Sequence, residues 1–394
     1  MDITIYPQKL SGTITAIPSK SQAHRLLICA AFSDTPTTII CPETNQDIEA
    51  TAVCLRGLGA EITRTDDGYV VTPVNVLPHS TLLNCNESGS TLRFMLPIVG
   101  ALGVDTTFQL AGRLPYRPLS PLWEEMERMG CTLSRPTKNT IHVQGQLRTG
   151  NYQINGGVSS QFITGLLYAA ALMNGTTTIE VIGKLESKPY IEMTQQSLAI
   201  FGVDSQNFTV AGSRPFHSPG KLVVEGDWSN GAFFLAATKL GSNVAVTGLL
   251  PNSTQGDKKC AALLSGIHNP ITIDAADIPD LVPILAVTAG ALTGTTFKNI
   301  ARLRLKESDR VATVAAMIEN LGGSAIVSEN EMQILPGIYH SCTIDAAGDH
   351  RIAMAAAIAA TVADGPVTIL GAQCVAKSYP TFWDEYKRLG GSYE

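Results

Sequence analysis

One structural unit recurs along the chain, and it limits the folds that the chain can adopt. A short strand rich in β-branched residues is followed by a polar loop and an amphipathic helix that ends at or next to a glycine. The copies mostly recur at a spacing of roughly 70 residues, which is longer than the periods of solenoid repeats. The pattern therefore predicts six α/β units rather than a helical array. The strand and helix pairs lie at residues 37–40 and 47–59, 106–110 and 122–130, 176–181 and 190–202, 243–247 and 257–265, 294–300 and 303–322, and 366–370 and 379–390.

A second helix with polar residues at its N-terminal end is expected in each unit. In the first copy, Ser21 lies one helical turn from Arg25, and Lys20 lies one turn from His24, so a hydroxyl and cations can meet at a helix N terminus. Such ends attract anions, and six of them predict one anion-binding region. A capping serine beside solvated cations explains the first segment equally well when it is taken alone. The six segments are residues 17–32, 86–96, 157–167, 225–234, 276–285 and 347–354.

The most highly charged copy is the helix predicted over residues 303–322. Val311, Val314 and Ile318 recur at helical spacing, and Gly322 ends the pattern. Its first turn gathers three cations and two carboxylates, and cations at that end oppose the helix dipole. We therefore interpret the cluster as a site for an anionic ligand rather than as a solvated face. The charged residues are Arg304, Lys306, Glu307, Asp309 and Arg310.

Loops and first turns elsewhere carry further cations. Prolines next to several of them stiffen the backbone that carries the charge. Arg113 and Lys188 are equally well explained as isolated surface cations. Arg117, Arg351 and Lys377 occupy what we expect to be equivalent edges of their repeats, which favours a role in ligand binding.

Charge and composition exclude several classes of function. A net charge of −6 disfavours nucleic acid as a partner, so an anion site must be a local concentration of cations. The 8 cysteines form no C-x-x-C pair and the 7 histidines form no ligand-spaced pair, so we expect reduced thiols in a cytoplasmic protein and no metal site. The N terminus alternates instead of showing a basic region and an apolar run, so no signal peptide is expected. The longest apolar run, residues 352–363, is shorter than the about 20 residues that span a membrane, and it predicts a buried helix.

Over essentially its whole length the chain resembles the EPSP synthase family of enolpyruvyl transferases. The resemblance implies an α/β fold, namely a two-domain inside-out α/β barrel of six βαβαββ repeats. Residues 1–19 and 225–394 would form the C-terminal (lower) domain and residues 20–224 the N-terminal (upper) domain, with three repeats each and the active site in the cleft between them. Glu87 and Arg302 stand where relatives often or sometimes carry asparagine. The segments that carry the resemblance are residues 18–25, 88–93, 117–119, 158–162, 187–190, 278–280, 305–310, 349–354 and 376–380.

The same resemblance implies a reaction and a set of site residues. The enolpyruvyl group of phosphoenolpyruvate would pass to the 5-hydroxyl of shikimate 3-phosphate, with release of phosphate, in a monomer that uses no cofactor and no metal ion. Asp280 would be the base, Glu307 the acid at carbon, and Lys20 and Lys306 would stabilise charge. Shikimate 3-phosphate would be bound by Lys20, Ser21, Arg25, Ser159, Ser160, Gln161, Ser187, Asp280 and Lys306. Phosphoenolpyruvate would be bound by Lys20, Gly89, Ser90, Arg117, Gln161, Arg310, Arg351 and Lys377.

Two alternatives follow from the same residues. UDP-N-acetylglucosamine enolpyruvyl transferases share the architecture, but they usually carry Lys-Asn near the start and a catalytic cysteine in the loop equivalent to residues 112–122. This chain has Lys20 followed by Ser21, and that loop contains no cysteine. A non-catalytic repeat protein that binds anionic metabolites is the other alternative, and it would tolerate loss of Asp280 and Glu307. Because neither half of the chain gathers enough cations for two anionic substrates, we also expect ligand binding to draw the domains together.

Overall fold

The computed structural model describes residues 1–212 and 216–394, which form short strands and helices along the whole chain. The described strands are β1 (Ile3–Tyr6), β2 (Ser11–Thr15), β3 (Thr37–Ile40), β4 (Glu61–Thr65), β5 (Gly68–Thr72), β6 (Ser80–Asn84), β7 (Asp105–Gln109), β8 (Cys131–Ser134), β9 (Thr140–Gly145), β10 (Asn151–Asn155), β11 (Thr176–Ile182), β12 (Thr209–Ala211), β13 (Lys221–Val223), β14 (Asn243–Thr247), β15 (Ile271–Asp274), β16 (Thr295–Lys298), β17 (Ser324–Val327), β18 (Glu331–Leu335), β19 (Cys342–Asp345), β20 (Val367–Leu370) and β21 (Ser392–Tyr393).

The helices lie between these strands. They are α1 (Lys20–Ala31), α2 (Gln46–Gly57), α3 (Gly89–Leu102), α4 (Leu122–Arg128), α5 (Ser160–Leu172), α6 (Lys188–Ile200), α7 (Trp228–Lys239), α8 (Lys259–Gly266), α9 (Val282–Gly290), α10 (Arg310–Asn320), α11 (His350–Ala360) and α12 (Phe382–Arg388). Short 3₁₀ turns precede several of them, among these Leu114–Tyr116, Gly256–Lys258, Ala301–Leu305 and Ala372–Lys377.

Contacts between residues divide the chain into two compact units. Unit 1 consists of Met1–Ile17 and Glu225–Glu394, and unit 2 consists of Pro18–Val224. Each unit encloses a hydrophobic core of its own, so each can bury the apolar faces of its helices and sheets without the other. The core of unit 2 includes Leu27, Phe94 and Phe162, and that of unit 1 includes Phe234, Leu285 and Met354.

The described strands form six sheets with a shared order. In four sheets a parallel pair of strands is extended by two antiparallel strands; these are β13-β3-β5-β4, β6-β7-β9-β8, β15-β16-β18-β17 and β19-β20-β1-β21. The sheets β10-β11-β12 and β14-β2 contain the same parallel pair. Parallel neighbours need a crossover, and a helix supplies it in β6-α3-β7, β10-α5-β11, β15-α9-β16 and β19-α11-β20. The six predicted α/β units are therefore confirmed.

Two strands are exchanged between the units. β2 precedes α1 in the chain, yet it pairs in parallel with β14 of unit 1. β13 closes the chain of unit 2 and pairs in parallel with β3, which follows α1. β13 thus takes the place that a strand before α1 would occupy, and the chain passes between the units at residues 17–18 and again at residues 224–225.

Three helices in each unit are buried and three are partly exposed. The buried set is α1, α3 and α5 in unit 2 and α7, α9 and α11 in unit 1, which we call the inner helices. All residues of α11 are buried, which confirms the buried helix predicted from the alanine-rich run. α3 and α5 approach closely at Gly165, where an added Cβ would lie 2.3 Å from the carbonyl oxygen of Arg93. Glycine is needed there because the backbones are in contact.

The prediction of one long helix over residues 303–322 is wrong for the first part of that range. A 3₁₀ turn at Ala301–Leu305 is followed by extended backbone at Lys306, and α10 begins only at Arg310. Asp309 ends the extended segment, because its side chain accepts a hydrogen bond from the Ala312 N–H at 3.1 Å and caps the helix. Arg304, Lys306 and Glu307 therefore precede the helix, and the argument from the helix dipole applies to Arg310 alone.

Candidate active site

The inner helices place polar side chains at the same two positions. One is the N-cap, where the side chain accepts a backbone N–H, and the other is the second residue of the helix. The predicted collection of polar residues at these ends is confirmed, although α9 departs from it because Leu281 precedes its first turn. The caps are Ser19, Ser88, Ser159, Asp227 and Asp349, and the second residues are Ser21, Ser90, Gln161, Ser229 and Arg351.

Two cations of α1 are held by different partners in unit 2. Lys20 forms an ion pair with Asp47 of α2, with Nζ 2.8 Å from Oδ2. Arg25 is buried and donates from Nε to Thr194 Oγ1 at 2.8 Å and from Nη2 to the carbonyl oxygen of Tyr190 at 2.8 Å. Nη1 donates to the carbonyl oxygen of Ser21 at 2.6 Å, so the guanidinium joins the start of α1 to α6. Both cations are fixed in place before any ligand binds.

A polar cluster surrounds the first turn of α3. Arg117 follows the 3₁₀ turn at Leu114–Tyr116 and lies against Gly89, where an added Cβ would be 2.6 Å from Nη1 of Arg117. Gln161 of α5 donates to Ser90 Oγ at 2.9 Å and accepts from Arg93 at 2.7 Å. The structure therefore brings Gly89, Ser90, Arg117 and Gln161 together, as expected for residues that share one ligand.

Three serines lie at the starts of α5 and α6. Ser159 caps α5 by accepting the Gln161 N–H at 3.3 Å, and Ser160 is buried in the first turn. Ser187 precedes α6 with φ of 55° and is buried. A left-handed conformation costs a non-glycine residue about 1–3 kcal/mol, and such positions cluster at functional sites. No signal in the sequence indicated this conformation.

Arg310 is the centre of the charged cluster in unit 1. Its side chain is 1% exposed, and its Nη1 donates to Asp280 Oδ1 at 2.7 Å and its Nη2 to Glu307 Oε2 at 2.8 Å. Nε donates to Asp349 Oδ2 at 2.9 Å. Burial alone would lower the pKa of Arg310, but the three carboxylates raise it above its ordinary value. One guanidinium thus fixes the positions of three carboxylates.

Asp280 is surrounded by cations. Arg351 donates to its Oδ2 at 3.0 Å, and the Lys306 Nζ lies 3.7 Å from its Oδ1. Burial alone would raise the pKa of Asp280, but Arg351, Lys306 and Arg310 hold it well below its usual range. Burial lowers the pKa of Lys306 to about 8, against the attraction of Asp280. Asp280 is therefore ionised near neutral pH, and Lys306 is charged there but loses its proton at a lower pH than an ordinary lysine.

The predicted equivalence of Arg117, Arg351 and Lys377 holds for two of them. Arg117 follows one 3₁₀ turn and precedes α4. Lys377 ends another such turn at Ala372–Lys377 and precedes α12. Lys306 follows a third such turn. Arg351 instead lies in the first turn of the inner helix α11. Lys377 is buried like Arg351, and Arg351 donates to Asp280 Oδ2.

Sequence reasoning missed two buried carboxylates in unit 1. Asp349 caps α11 and also accepts from Ser308 Oγ at 3.1 Å, besides its bond to Arg310. Asp257 accepts a hydrogen bond from Ser229, and burial first, then the Asp280 carboxylate, raise the pKa of Asp257 to about 7. The motif that includes residues 349–354 drew attention only to Arg351. For Asp257, the available signal was its place just ahead of α8; it lies within a 3₁₀ turn, whereas Arg117 and Lys306 directly follow such turns.

Among residues 1–212 and 216–394, no group of three or more histidine, cysteine, aspartate or glutamate side chains is arranged to hold a metal ion. Over the same residues, no helix combines the length and the apolar character that crossing a membrane requires.

Comparison with known proteins places the chain in a family. The family model described as EPSP synthase (3-phosphoshikimate 1-carboxyvinyltransferase) matches residues 5–386. The chain therefore belongs to the EPSP synthase family. A 3-phosphoshikimate 1-carboxyvinyltransferase of Clostridium beijerinckii is 35% identical over 430 residues, which cover 100% of this chain and 98% of that protein. One of Clostridium acetobutylicum is 36% identical over 421 residues, covering 99% of this chain and 97% of the relative.

Solved structures of EPSP synthase have the same fold. An EPSP synthase from Acinetobacter baumannii superposes with a TM-score of 0.82 at 22% identity, covering 100% of this chain and 99% of that one. The enolpyruvyl transferase NikO from Streptomyces tendae gives a TM-score of 0.74 at 18% identity, covering 100% and 98%. These two structural similarities show a shared fold. The family assignment rests on the sequence matches.

Proposed function

We propose that the chain transfers the enolpyruvyl group of phosphoenolpyruvate to the 5-hydroxyl of shikimate 3-phosphate and releases phosphate. The proposal rests on the surroundings of Asp280. Its ionised carboxylate accepts hydrogen bonds from Arg310 and Arg351 and lies close to Lys306. An ionised carboxylate can accept the proton of a hydroxyl, and the cations beside it suit anionic substrates and a reacting oxygen that becomes negative. Membership of the EPSP synthase family supports the choice of substrates.

The two substrates are assigned to different side chains. Shikimate 3-phosphate would contact the hydroxyls at the starts of α1, α5 and α6 together with Arg25, and its reacting hydroxyl would face Asp280 and Lys306. Phosphoenolpyruvate carries a phosphate and a carboxylate, which guanidinium and ammonium groups bind well. It would be held by Lys20, Arg117, Arg310, Arg351 and Lys377, by Gln161 and by the backbone at Gly89 and Ser90.

The chemistry requires three proton transfers: one from the acceptor hydroxyl, one to the methylene carbon and one from the methyl group that results. The hydroxyl oxygen bonds to the central carbon of phosphoenolpyruvate and loses its proton, for which Asp280 is the proposed base. The methylene carbon gains a proton, for which Glu307 in its protonated form is the proposed acid. Phosphate then leaves as its C–O bond breaks, and the methyl carbon returns one proton, so that the enolpyruvyl group is restored. Lys20 and Lys306 would stabilise the charge on phosphate and on the hydroxyl oxygen.

Phosphate release from the purified protein tests the proposal. One tube contains phosphoenolpyruvate with shikimate 3-phosphate, and the other contains phosphoenolpyruvate with UDP-N-acetylglucosamine. Release in the first tube alone is the expected result. Release in the second alone would show that the acceptor site around Ser21 and Ser159 has been misassigned, and no release in either would favour a non-catalytic anion-binding protein.

Three broader proposals accompany this function. We propose that both units supply residues to one reaction, that the protein is a monomer, and that it acts in the cytoplasm. Small-angle scattering with and without shikimate 3-phosphate tests whether the ligand draws the units together, and light scattering measures the mass of the particle. Cell fractionation tests the location.

Replacing Gly89 by alanine is expected to raise the KM for phosphoenolpyruvate on the order of ten- to a hundredfold. The new methyl group would lie 2.6 Å from Nη1 of Arg117, so the guanidinium must move away from α3. Steady-state kinetics with each substrate varied in turn measures the effect. Gly266→Ala is the matched control, because a Cβ there meets no atom of the described residues within 4 Å. Equal KM values in the two variants would contradict the placement of Arg117.

Turnover is expected to fall as the pH rises through about 8. Burial lowers the pKa of Lys306 to about 8, so its ammonium is charged below that pH and neutral above it. The positive charge that would stabilise the reacting oxygen is therefore lost at alkaline pH. kcat/KM measured from about pH 6 to 10 shows this limb, and Lys306→Arg should remove it because a guanidinium stays charged. A wild-type profile that stays flat to about pH 10 would refute the assignment.

A further inference from the structure

Helices α1 and α2 are joined by two polar contacts one turn apart. The first is the ion pair of Lys20 with Asp47 at 2.8 Å. The second joins residues four positions further along each helix, where His24 Nδ1 lies 2.7 Å from Thr51 Oγ1. His24 and Thr51 are 1% and 0% exposed, so the second contact is out of reach of solvent. The proposed function gives Lys20 a role and leaves His24 without one.

The buried contact continues to the first turn of α3. Thr51 Oγ1 lies 2.7 Å from Thr91 Oγ1, and Thr91 Oγ1 donates to Ser88 Oγ at 2.7 Å. Ser88 is the N-cap of α3 and is followed directly by Gly89. Thr91 and Ser88 are 0% and 1% exposed. Four buried side chains therefore connect the helix that carries Lys20 with the turn proposed to bind phosphoenolpyruvate.

The hydrogen bonds that join His24, Thr51, Thr91 and Ser88 form a series that we call the line. From His24 to Thr91 they run in one direction. A hydroxyl has one hydrogen to donate, and that of Thr91 goes to Ser88 Oγ or to the carbonyl oxygen of Asp47, which lies 3.4 Å away. Thr91 can then only accept from Thr51, and Thr51 can only accept from His24. Nδ1 of His24 must therefore carry the hydrogen. The other ring nitrogen, Nε2, is buried and has no hydrogen-bond partner among residues 1–212 and 216–394, which suits a bare lone pair better than an orphaned N–H donor.

We propose that His24, Thr51 and Thr91 are positioning residues of the phosphoenolpyruvate site, because their one-way line of hydrogen bonds sets the first turn of α3 relative to Lys20. Because the hydrogen bonds run one way from His24 to Thr91, the line resists rotation of the hydroxyls and supports the N-cap that orients Gly89 and Ser90. Burial lowers the pKa of His24 to about 3, against the attraction of Asp47, so the ring stays neutral while substrates bind. The inference rests on the proposed function for its ligand, but not for the direction of the line.

The tautomer of His24 can be observed without any substrate. Long-range proton–nitrogen correlation spectra of histidine-labelled full-length protein distinguish a ring protonated at Nδ1 from one protonated at Nε2. The protein contains 7 histidines, and the His24 signals are those that disappear in His24→Asn. We expect the Nδ1–H form, unchanged between about pH 5 and 8. An Nε2–H form or titration in that range would overturn the proposal.

Kinetics tests the positioning role. Thr91→Val removes the hydroxyl with little change of shape, and we expect the KM for phosphoenolpyruvate to rise on the order of tenfold while the KM for shikimate 3-phosphate is unchanged. Thr91→Ser keeps the hydroxyl and should restore the wild-type value. Thr288→Val is the matched control, because this buried hydroxyl donates to the Ile284 carbonyl oxygen of its own helix. Equal rises in both KM values, or a rise in Thr288→Val as well, would contradict the proposal.

A second pair of variants covers the case in which Thr91→Val does not fold. In His24→Asn the side-chain amide can still donate to Thr51, whereas His24→Leu cannot donate. We expect the KM for phosphoenolpyruvate to rise in His24→Leu and to stay near the wild-type value in His24→Asn. Equal values in the two variants would overturn the proposal. A wild-type protein that releases no phosphate would refute the proposed function, while the His24 spectrum would still decide whether the line exists.

Discussion

Arg310→Met is expected to abolish turnover and to lower the free energy of unfolding by about 3–5 kcal/mol. The guanidinium of Arg310 is buried and bonds to Asp280, Glu307 and Asp349. Methionine fills a similar volume but leaves three carboxylates without this cation, and uncompensated buried charge is costly. Urea unfolding followed by circular dichroism measures the stability, and phosphate release measures the turnover.

Arg304→Met is the matched control for this substitution. Arg304 lies in the neighbouring 3₁₀ turn and pairs with Asp309 at 3.5 Å, but its side chain is 37% exposed. A pair in contact with solvent contributes about 0–1 kcal/mol, so this variant should unfold close to the wild type. If Arg310→Met matched Arg304→Met in stability and retained turnover, the central role of Arg310 would be disproved.

Asp280→Asn is expected to lower kcat by about 10²–10⁴-fold, the range for loss of a general base. An amide is close in shape to a carboxylate and can still accept a hydrogen bond from Arg310, but it cannot take a proton at neutral pH. The substitution also removes the carboxylate that raises the pKa of Lys306, so the alkaline fall in activity should move to lower pH. Phosphate release at saturating substrates, repeated across pH, measures both effects.

Two further variants test the specificity of this result. Glu307→Gln removes the proposed acid and should lower kcat by a similar factor, about 10²–10⁴. Asp345→Asn is the control, since Asp345 is exposed and its Oδ1 accepts the Ala347 N–H at 2.7 Å, a bond that an asparagine oxygen can also accept. Wild-type turnover in both Asp280→Asn and Glu307→Gln would contradict the proposed roles of the two carboxylates and would favour the non-catalytic repeat protein.

Elements with a strong local pattern could be predicted closely from the sequence. The strand expected at residues 37–40 is β3, and the one expected at residues 243–247 is β14. These stretches are rich in β-branched residues and end at polar turns, so local preference and tertiary position agree. The helix expected over residues 190–202 instead begins at Lys188, because the buried Ser187 bends the chain into the left-handed region. Backbone conformation of that kind has no signature in a single sequence.

The charged site could be predicted only in part. The clustering of Lys306, Glu307 and Arg310 in the sequence predicts a charged site. The same pattern predicts a helix that starts at residue 303, whereas α10 starts at Arg310. The capping role of Asp309 decided that boundary. Asp257 was missed since its properties come from burial beside residues that are distant in the chain. The direction of the line from His24 to Ser88 likewise depends on hydrogen-bond geometry between three helices.

The exchange of β2 and β13 sets the order in which a growing chain can fold on the ribosome. Unit 2 is continuous, so it can close once Val224 has emerged. Unit 1 must wait for the last strands of the chain, because β1 pairs with β20 and β21, whereas β2 can pair with β14 soon after unit 2 has emerged. At about 5–20 residues per second, the first two strands stay unpaired for on the order of ten to a few tens of seconds. Once Val224 has emerged, unit 2 can fold while β1 still lacks both of its partner strands.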